Sequence, residues 1–240
     1  MLVVKIVVTY TCVTHGKSTD NLAARFVATY QMFPAGIVHD LVIICNGGKL
    51  KPATALIFSL VNCIFFERPN DEGYDISGYR DLAQSPQGLC DLLVCLGESV
   101  YFHREGWLRR LAAVAQRYGP GMYGLFATHN FCAHLNTTGF ACTPKLLVEY
   151  PHQVRDHDER YAFEHGDKAF WRWLSGRKLA AIFVTWDGAW FPREWRYAQN
   201  ILWRGDQSNL LAWCNHSDHF IEADARTKSV WSANADRAFK

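Results

Sequence analysis

Residues 3–10 read VVKIVVTY, and the polar run TCVTHGKSTDN follows at 11–21. β-branched residues crowd the first stretch, so it is expected to be a buried strand and the second a loop. Asp20 is placed to cap a helix through LAARFVATYQMF (22–33), which Pro34-Ala35-Gly36 ends. The same alternation then repeats. HDLVIICN (39–46) is a second strand stopped by Gly47-Gly48, residues 52–60 are helix-like, and NCIFFERP (62–69) is a third strand. The turn-rich loop NDEGYDISG (70–78) leads into a short helix from Tyr79, DLLVCLGES (91–99) is a fourth strand, and a helix runs from 105 to 117. Strands alternating with helices at this spacing imply βαβ units, hence an α/β three-layer sandwich with a mostly parallel central sheet. Such sheets bind ligands beyond the carboxyl ends of their strands. The loops at 9–20, 46–51, 69–79 and 97–104 are therefore the ones to inspect.

Past Tyr118 the pattern loosens. YGPGMYG (118–124) is a turn cluster, and GLFATH (124–129) and TTGFACT (137–143) read as strands. AFEHGDKAFWRWLSG (162–176) reads as one helix closed by Gly176, and LAAIFVTWDG (179–188) as a strong strand. From Trp190 to Lys240 the chain is weakly periodic. Without a repeat or a flexible linker, residues 1–240 form one domain with unequal halves, 1–104 and 105–240.

Composition narrows the classes. The formal net charge of +2 (25 Lys plus Arg, 23 Asp plus Glu) excludes strongly basic polymer-binding proteins and acidic disordered ones. A hydrophobic content of 49% suits a filled core. The eight cysteines include no C-x-x-C pair, and Cys45, Cys63 and Cys95 sit in apolar runs where a thiol acts as a small hydrophobe. They are read as reduced, which implies a cytoplasmic compartment. The longest apolar stretch, ATALIFSLVNCIFF (53–66), is shorter than the ~20 residues a bilayer span requires. No membrane span is expected. Of nine Trp, eight fall within residues 171–240.

G-x-G-x-x-G after the first strand, G-x-x-x-x-G-K-[ST], G-x-S-x-G and H-x-E…C-x-x-C are all absent, which disfavours dinucleotide, P-loop, hydrolase-elbow and zinc-deaminase sites. Polar residues at strand ends remain. Asp75 and Tyr79 project from a loop whose Gly73 and Gly78 permit close backbone approach; the plainer reading is a capped surface turn. Glu98, delivered by the fourth strand, suits a metal or diphosphate position, or serves as a helix or turn partner. Glu164 and His165, read as lying just before a helix whose dipole favours a carboxylate, are candidate general bases. The plainer alternative is a helix-terminal charge with a core histidine. Asp187 follows a buried strand. His216, Asp218 and His219 cluster closely enough for a metal site, although a hydrogen-bonded loop is the simpler reading. Trp173, Trp186 and Trp213 have core-like contexts, whereas Trp190, Trp195 and Trp203 lie among Pro, Arg, Glu and Gly and suit a ligand-facing wall.

The order of these features resembles a GT-A type, family-2-like nucleotide-sugar glycosyltransferase, including relatives of rhamnan-synthesis proteins. The likeness rests on VVTYT (7–11), ICNGG (44–48), RPNDEGYDISGYRD (68–81), LLVCLGES (92–99), HLNTTGFACTPKLL (134–147) and YAFEHG (161–166), and spans roughly residues 1–190. It implies a GT-A-like, Rossmann-type fold. Residues 1–104 would hold a nucleotide-sugar donor through Thr9, Tyr10, Asn46, Asp75 and Tyr79, and 105–240 the acceptor, against Asp187, Trp190, Trp195 and Trp203. Where that family has its D-x-D metal signature, this chain has Gly97-Glu98-Ser99. Mn²⁺ or Mg²⁺ would then rest on Glu98 with help from His216, or a guanidinium such as Arg204 would take the cation's place. Glu164 matches the catalytic carboxylate, with His165 in place of a second acid, implying single displacement with inversion. A glycan is the default acceptor and a hydroxylated DNA base an alternative. The competing classes are an S-adenosylmethionine-dependent methyltransferase and a non-catalytic carbohydrate- or nucleic-acid-binding module.

Overall fold

Ile6–Val13 forms β1, and seven of its eight side chains are buried. A computed structural model describes residues 4–129 and 132–237, so Val3 of the expected strand lies outside it. The parallel unit is β1, α1 (Thr19–Met32), β2 (Asp40–Asn46), α2 (Pro52–Phe58), β3 (Ile64–Arg68), α3 (Tyr74–Ala83) and β4 (Leu92–Leu96). β1 pairs in parallel with β2 on one side and β4 on the other, and β2 pairs with β3. Every residue of β4 is buried, as a strand covered on both faces requires.

The second half adds α4 (Trp107–Tyr118), β5 (Gly121–Gly124), the short pair β6 (Ala127–Thr128) and β7 (His134–Leu135), and β8 (Gly139–Cys142). Then come α5 (Pro144–Glu149), α6 (His157–Glu164), α7 (Phe170–Gly176), β9 (Ala180–Val184), β10 (Ala189–Trp190), α8 (Asn215–Glu222) and α9 (Ala225–Arg237). One eight-stranded sheet crosses both halves in the order β10-β9-β5-β8-β4-β1-β2-β3. β8 is inserted antiparallel between β4 and β5, and β10 is an antiparallel edge. The result is the α/β sandwich with a mostly parallel sheet that the alternation of strands and helices implies.

Pleating decides the fate of neighbouring residues on β1. Tyr10 turns towards α1 and stacks on Phe26 with ring centroids 4.0 Å apart. Thr9 and Thr11 point to the opposite face.

Three local expectations are corrected. α3 begins at Tyr74, five residues before the expected start, because Gly73 takes the left-handed conformation (φ +69°) that turns the chain into the helix. The stretch 162–176 is two helices, not one: α6 stops at Glu164, and Gly166 adopts φ +85° before α7 starts. Third, the turn cluster at 118–124 contains β5, whose four residues are all buried in the sheet.

All eight cysteines are free thiols, and burial pushes Cys45 up to about 12. Among the described residues no helix is long and apolar enough to cross a membrane.

Candidate functional site

The sheet has a switch point at β1, whose neighbours β2 and β4 connect away in opposite directions. A cleft of about 430 Å³ opens beyond the carboxyl ends of these strands, lined by Thr11, Asn46, Asp75, Glu98 and Arg160 among others. A second lobe of about 230 Å³ adjoins it, lined by His134, Glu164, Trp203 and His216 among others. Thr138 and Arg160 belong to both.

The first lobe is held by a network of buried polar groups. Asn46 donates from its amide to the Tyr74 carbonyl (3.1 Å) and accepts from Arg68 Nη1 (2.7 Å). Arg68 also donates to Asp81 Oδ2 (2.7 Å) and the Glu72 carbonyl (3.1 Å), pinning the 69–74 loop to α3. Glu98 Oε1 accepts from the Val13 N–H (3.3 Å) and from Thr19 Oγ1 (3.1 Å), fastening the end of β4 to the exit of β1 and the start of α1. Burial pushes the Glu98 carboxyl above its usual range, against the pull of those two donors and of His15.

Arg160 stands at the junction of the lobes. Its Nε donates to Asp75 Oδ1 (3.1 Å), and this carboxylate holds the guanidinium firmly charged. Among the described residues lining the two lobes, it is the sole Lys or Arg.

The second lobe is built around a carboxylate at the wrong end of a helix. Glu164 is the last residue of α6, where the dipole disfavours negative charge. Three donors compensate: His134 Nε2 (3.2 Å) and Asn136 Nδ2 (2.7 Å) on Oε1, and Thr137 Oγ1 (2.7 Å) on Oε2. Burial alone would raise the Glu164 pKa; the His134 hydrogen bond and charge, with Thr137 and Arg160, hold it below the ordinary range instead. His134 Nδ1 meets the Cys132 carbonyl oxygen at 2.8 Å, so both ring nitrogens face oxygen acceptors. Such a ring carries both protons. Burial opposes that charge, but hydrogen bonds to Cys132 and Glu164 and the Glu164 charge raise His134 to about 9.

Seven of the residues singled out from sequence line the cleft: Asn46, Asp75 and Glu98 in the first lobe, Glu164, His165, Trp203 and His216 in the second. The rest lie elsewhere. Thr9, Tyr10 and Tyr79 are fully buried and line neither lobe. Arg204 spends its guanidinium on the carbonyl oxygens of Arg196 (2.9 Å) and Ala198 (2.7 Å). Asp187 accepts from Thr185 (2.7 Å) and Asn209 (2.6 Å), and Trp190 Nε1 donates to the same Thr185 hydroxyl (2.9 Å). Trp195 is wholly buried and donates to the Trp190 carbonyl (2.8 Å). These three knit the β10 edge together rather than face a ligand.

Glu98 and His216 fall in different lobes, and among the described residues no group of three or more His, Cys, Asp or Glu could hold a metal ion. Glu98 Oε1 is already engaged by the Val13 N–H and the Thr19 hydroxyl. The residues present do not fit a divalent-cation site.

Sequence reasoning missed Thr11, His134, Asn136, Thr137 and Arg160. A signal existed for Arg160, which sits four residues before Glu164 and so shares its helix face. Reading the helix as starting at Ala162 or after Glu164 left Arg160 outside it and hid the pairing.

No protein-family model matches the sequence, and no curated protein matches it. Among solved structures, the chain is similar to a cytidylyltransferase from Leptospira borgpetersenii serovar Hardjo-bovis (TM-score 0.44, 12% identity, covering 66% of this chain and 69% of that one). It is also similar to S. aureus TarS (TM-score 0.47, 10% identity, 65% of this chain and 32% of that one) and to TarS 1-349 (TM-score 0.46, 10% identity, 65% and 53%). The match thus spans about a third of the longer TarS chain and half of the shorter. Likeness of this degree does not identify a chemistry.

Proposed function

We propose that the cleft transfers a sugar from a nucleotide-sugar donor to an acceptor hydroxyl, with a glycan as the default acceptor. The supporting observation is the shared boundary of its two lobes at Arg160 and Thr138. A nucleotide seated in the first lobe, against Thr11, Asn46 and Asp75, would present its diphosphate to Arg160 and its sugar to the second lobe. The volume of the first lobe is in the range of small-molecule sites. Arg160, rather than Arg204, would compensate the charge that develops on the departing diphosphate. A guanidinium suits that task because it is permanently charged and offers a planar fork of donors. Trp203 would supply the apolar wall on the acceptor side.

A thermal-shift panel tests the reading: UDP-, GDP-, CMP- and dTDP-sugars, each with Mn²⁺ and with EDTA, beside S-adenosylmethionine and a single-stranded oligonucleotide. A donor at a hundred times its Kd stabilises by about 2.7 kcal/mol, which raises Tm by roughly 5–10 °C. At least one nucleotide sugar is expected to give such a shift, equally in Mn²⁺ and in EDTA. A shift with S-adenosylmethionine alone would move the protein to the methyltransferases. Oligonucleotide binding that collapses with salt would make it a nucleic-acid module.

A further inference from the structure

The geometry points to His216 as the general base of the proposed transfer, with Glu164 a positioning residue that anchors the wall of the acceptor lobe. This rests on the transferase reading above.

Glu164 is badly placed to receive a proton. An ionised carboxylate offers about four lone-pair directions, and His134, Asn136 and Thr137 fill three of them. Protonating it would also strand the buried His134 charge that it balances. His165 caps the end of α6, with its ring held between His134 and Tyr161 at centroid distances of 5.3 and 5.0 Å.

His216 differs from both. It lines the second lobe, and among the described residues neither ring nitrogen has a hydrogen-bond partner; its ring contact is with Trp203, edge-on at 5.4 Å. As the second residue of α8 it sits where the helix dipole disfavours a cation, and burial lowers its pKa in the same direction. The ring is thereby kept neutral, with a lone pair open to the cleft. Arg160 and Glu164 of α6 and His219 of its own helix act on it electrostatically, and His134 and His165 line the same lobe.

The step balances simply. A ring nitrogen takes the proton of the acceptor O–H, and the oxygen bonds to the anomeric carbon. The bond from that carbon to the diphosphate oxygen breaks, and its electron pair leaves with the nucleotide beside Arg160. The imidazolium then returns its proton to solvent.

The test measures nucleotide release with water as acceptor, using whichever of UDP-glucose, GDP-mannose or dTDP-rhamnose raises the wild-type Tm. His216→Ala is expected to lower kcat by about 10²–10⁴-fold while its donor-induced Tm shift, which also reports folding, matches wild type. Added imidazole is expected to restore part of the rate, and His219→Gln, exposed one turn further on, should leave it unchanged. Undiminished turnover in His216→Ala overturns the assignment while leaving the transferase reading intact. So does a deficit reversed by Mn²⁺ rather than imidazole, which would make His216 a metal ligand. Failure of every donor to shift or turn over in the wild type overturns both.

Discussion

His134 and Glu164 define each other. Each is buried, each carries a charge its site would otherwise oppose, and neither is understandable without its partner. Removing one should cost far more than removing both. His134→Leu leaves a buried carboxylate unpaired and is expected to destabilise by about 3–5 kcal/mol. His134→Leu/Glu164→Leu should recover much of that, a non-additivity readable in urea unfolding. The pH dependence follows from the directions of the shifts. The His134 pKa is raised from 6.5 to about 9, so its contribution is whole below 6.5 and lost as pH climbs through about 9. Glu164 is lowered from 4.5, so its contribution is present above 4.5 and lost as pH falls through the lower value. The stability gap between wild type and the double variant should therefore be greatest between pH 4.5 and 6.5 and shrink on either side. A gap that stays flat to pH 10 would mean the ring is neutral.

At the level of elements, the strands of the first half were easy to read, whereas β5, hidden in a Gly/Pro-rich cluster, and the helix boundaries near the site were not. β1, β2 and β4 are buried on both faces, and an uninterrupted apolar run can say that directly. The start of α3 was obscured because its glycines resemble turn residues. Gly78 lies inside the helix, where an added Cβ would sit 3.1 Å from Ile44 Cγ2 and 3.2 Å from Asn46 Oδ1. It is there for close packing on β2. Gly73 has the other reason, since its left-handed backbone starts the helix, and an added Cβ would collide with the Val154 carbonyl. The two variants should separate accordingly. Gly73→Ala is expected to cost about 1–3 kcal/mol, or roughly 2–4 °C of Tm per kcal/mol. Gly78→Ala should cost less, because crowding is offset by about 1 kcal/mol of helix propensity. Calorimetry giving the reverse order would contradict these assignments. The boundary between α6 and α7 mattered more for function: placing a helix after Glu164 instead of before it reversed the sign of the dipole and separated Glu164 from Arg160.

Across the whole molecule, the two ends of the sequence meet at the site. The alternation of strands and helices announces the first lobe, because a switch point needs only β1, β2 and β4. No spacing announces the second, whose lining comes from β6, β7, the end of β8's approach, α6, Trp203 and α8. Its Trp-rich surroundings misled for a physical reason. Indoles beside Pro and Arg look solvent-facing, yet Trp195 is in the core and Trp190 bonds the β10 edge, leaving Trp203 on the cleft. A long-range contact ties α8 to α1 and to the segment that follows β4. Asp218 on α8 accepts from Arg25 Nη1 on α1 (2.7 Å) and from the Tyr101 hydroxyl, and Arg25 adds bonds to the Ser99 carbonyl (3.1 Å) and Asn215 Oδ1 (3.2 Å). The Arg25 guanidinium also stacks over the Tyr101 ring at 4.0 Å. Asp218 is partly exposed, so the ion pair contributes little to global stability by itself. Its effect belongs to the docking of α8, and with it the placement of His216. Asp218→Ala is accordingly expected to lower Tm by only a few degrees while amide hydrogens of α8 exchange faster and those of β1, β2 and β4 keep wild-type protection. Nucleotide release should fall further than donor-induced stabilisation, because α8 gives the first lobe only Asn215 at its rim but places His216 in the second. Uniformly faster exchange across the sheet would instead make the contact a global clasp.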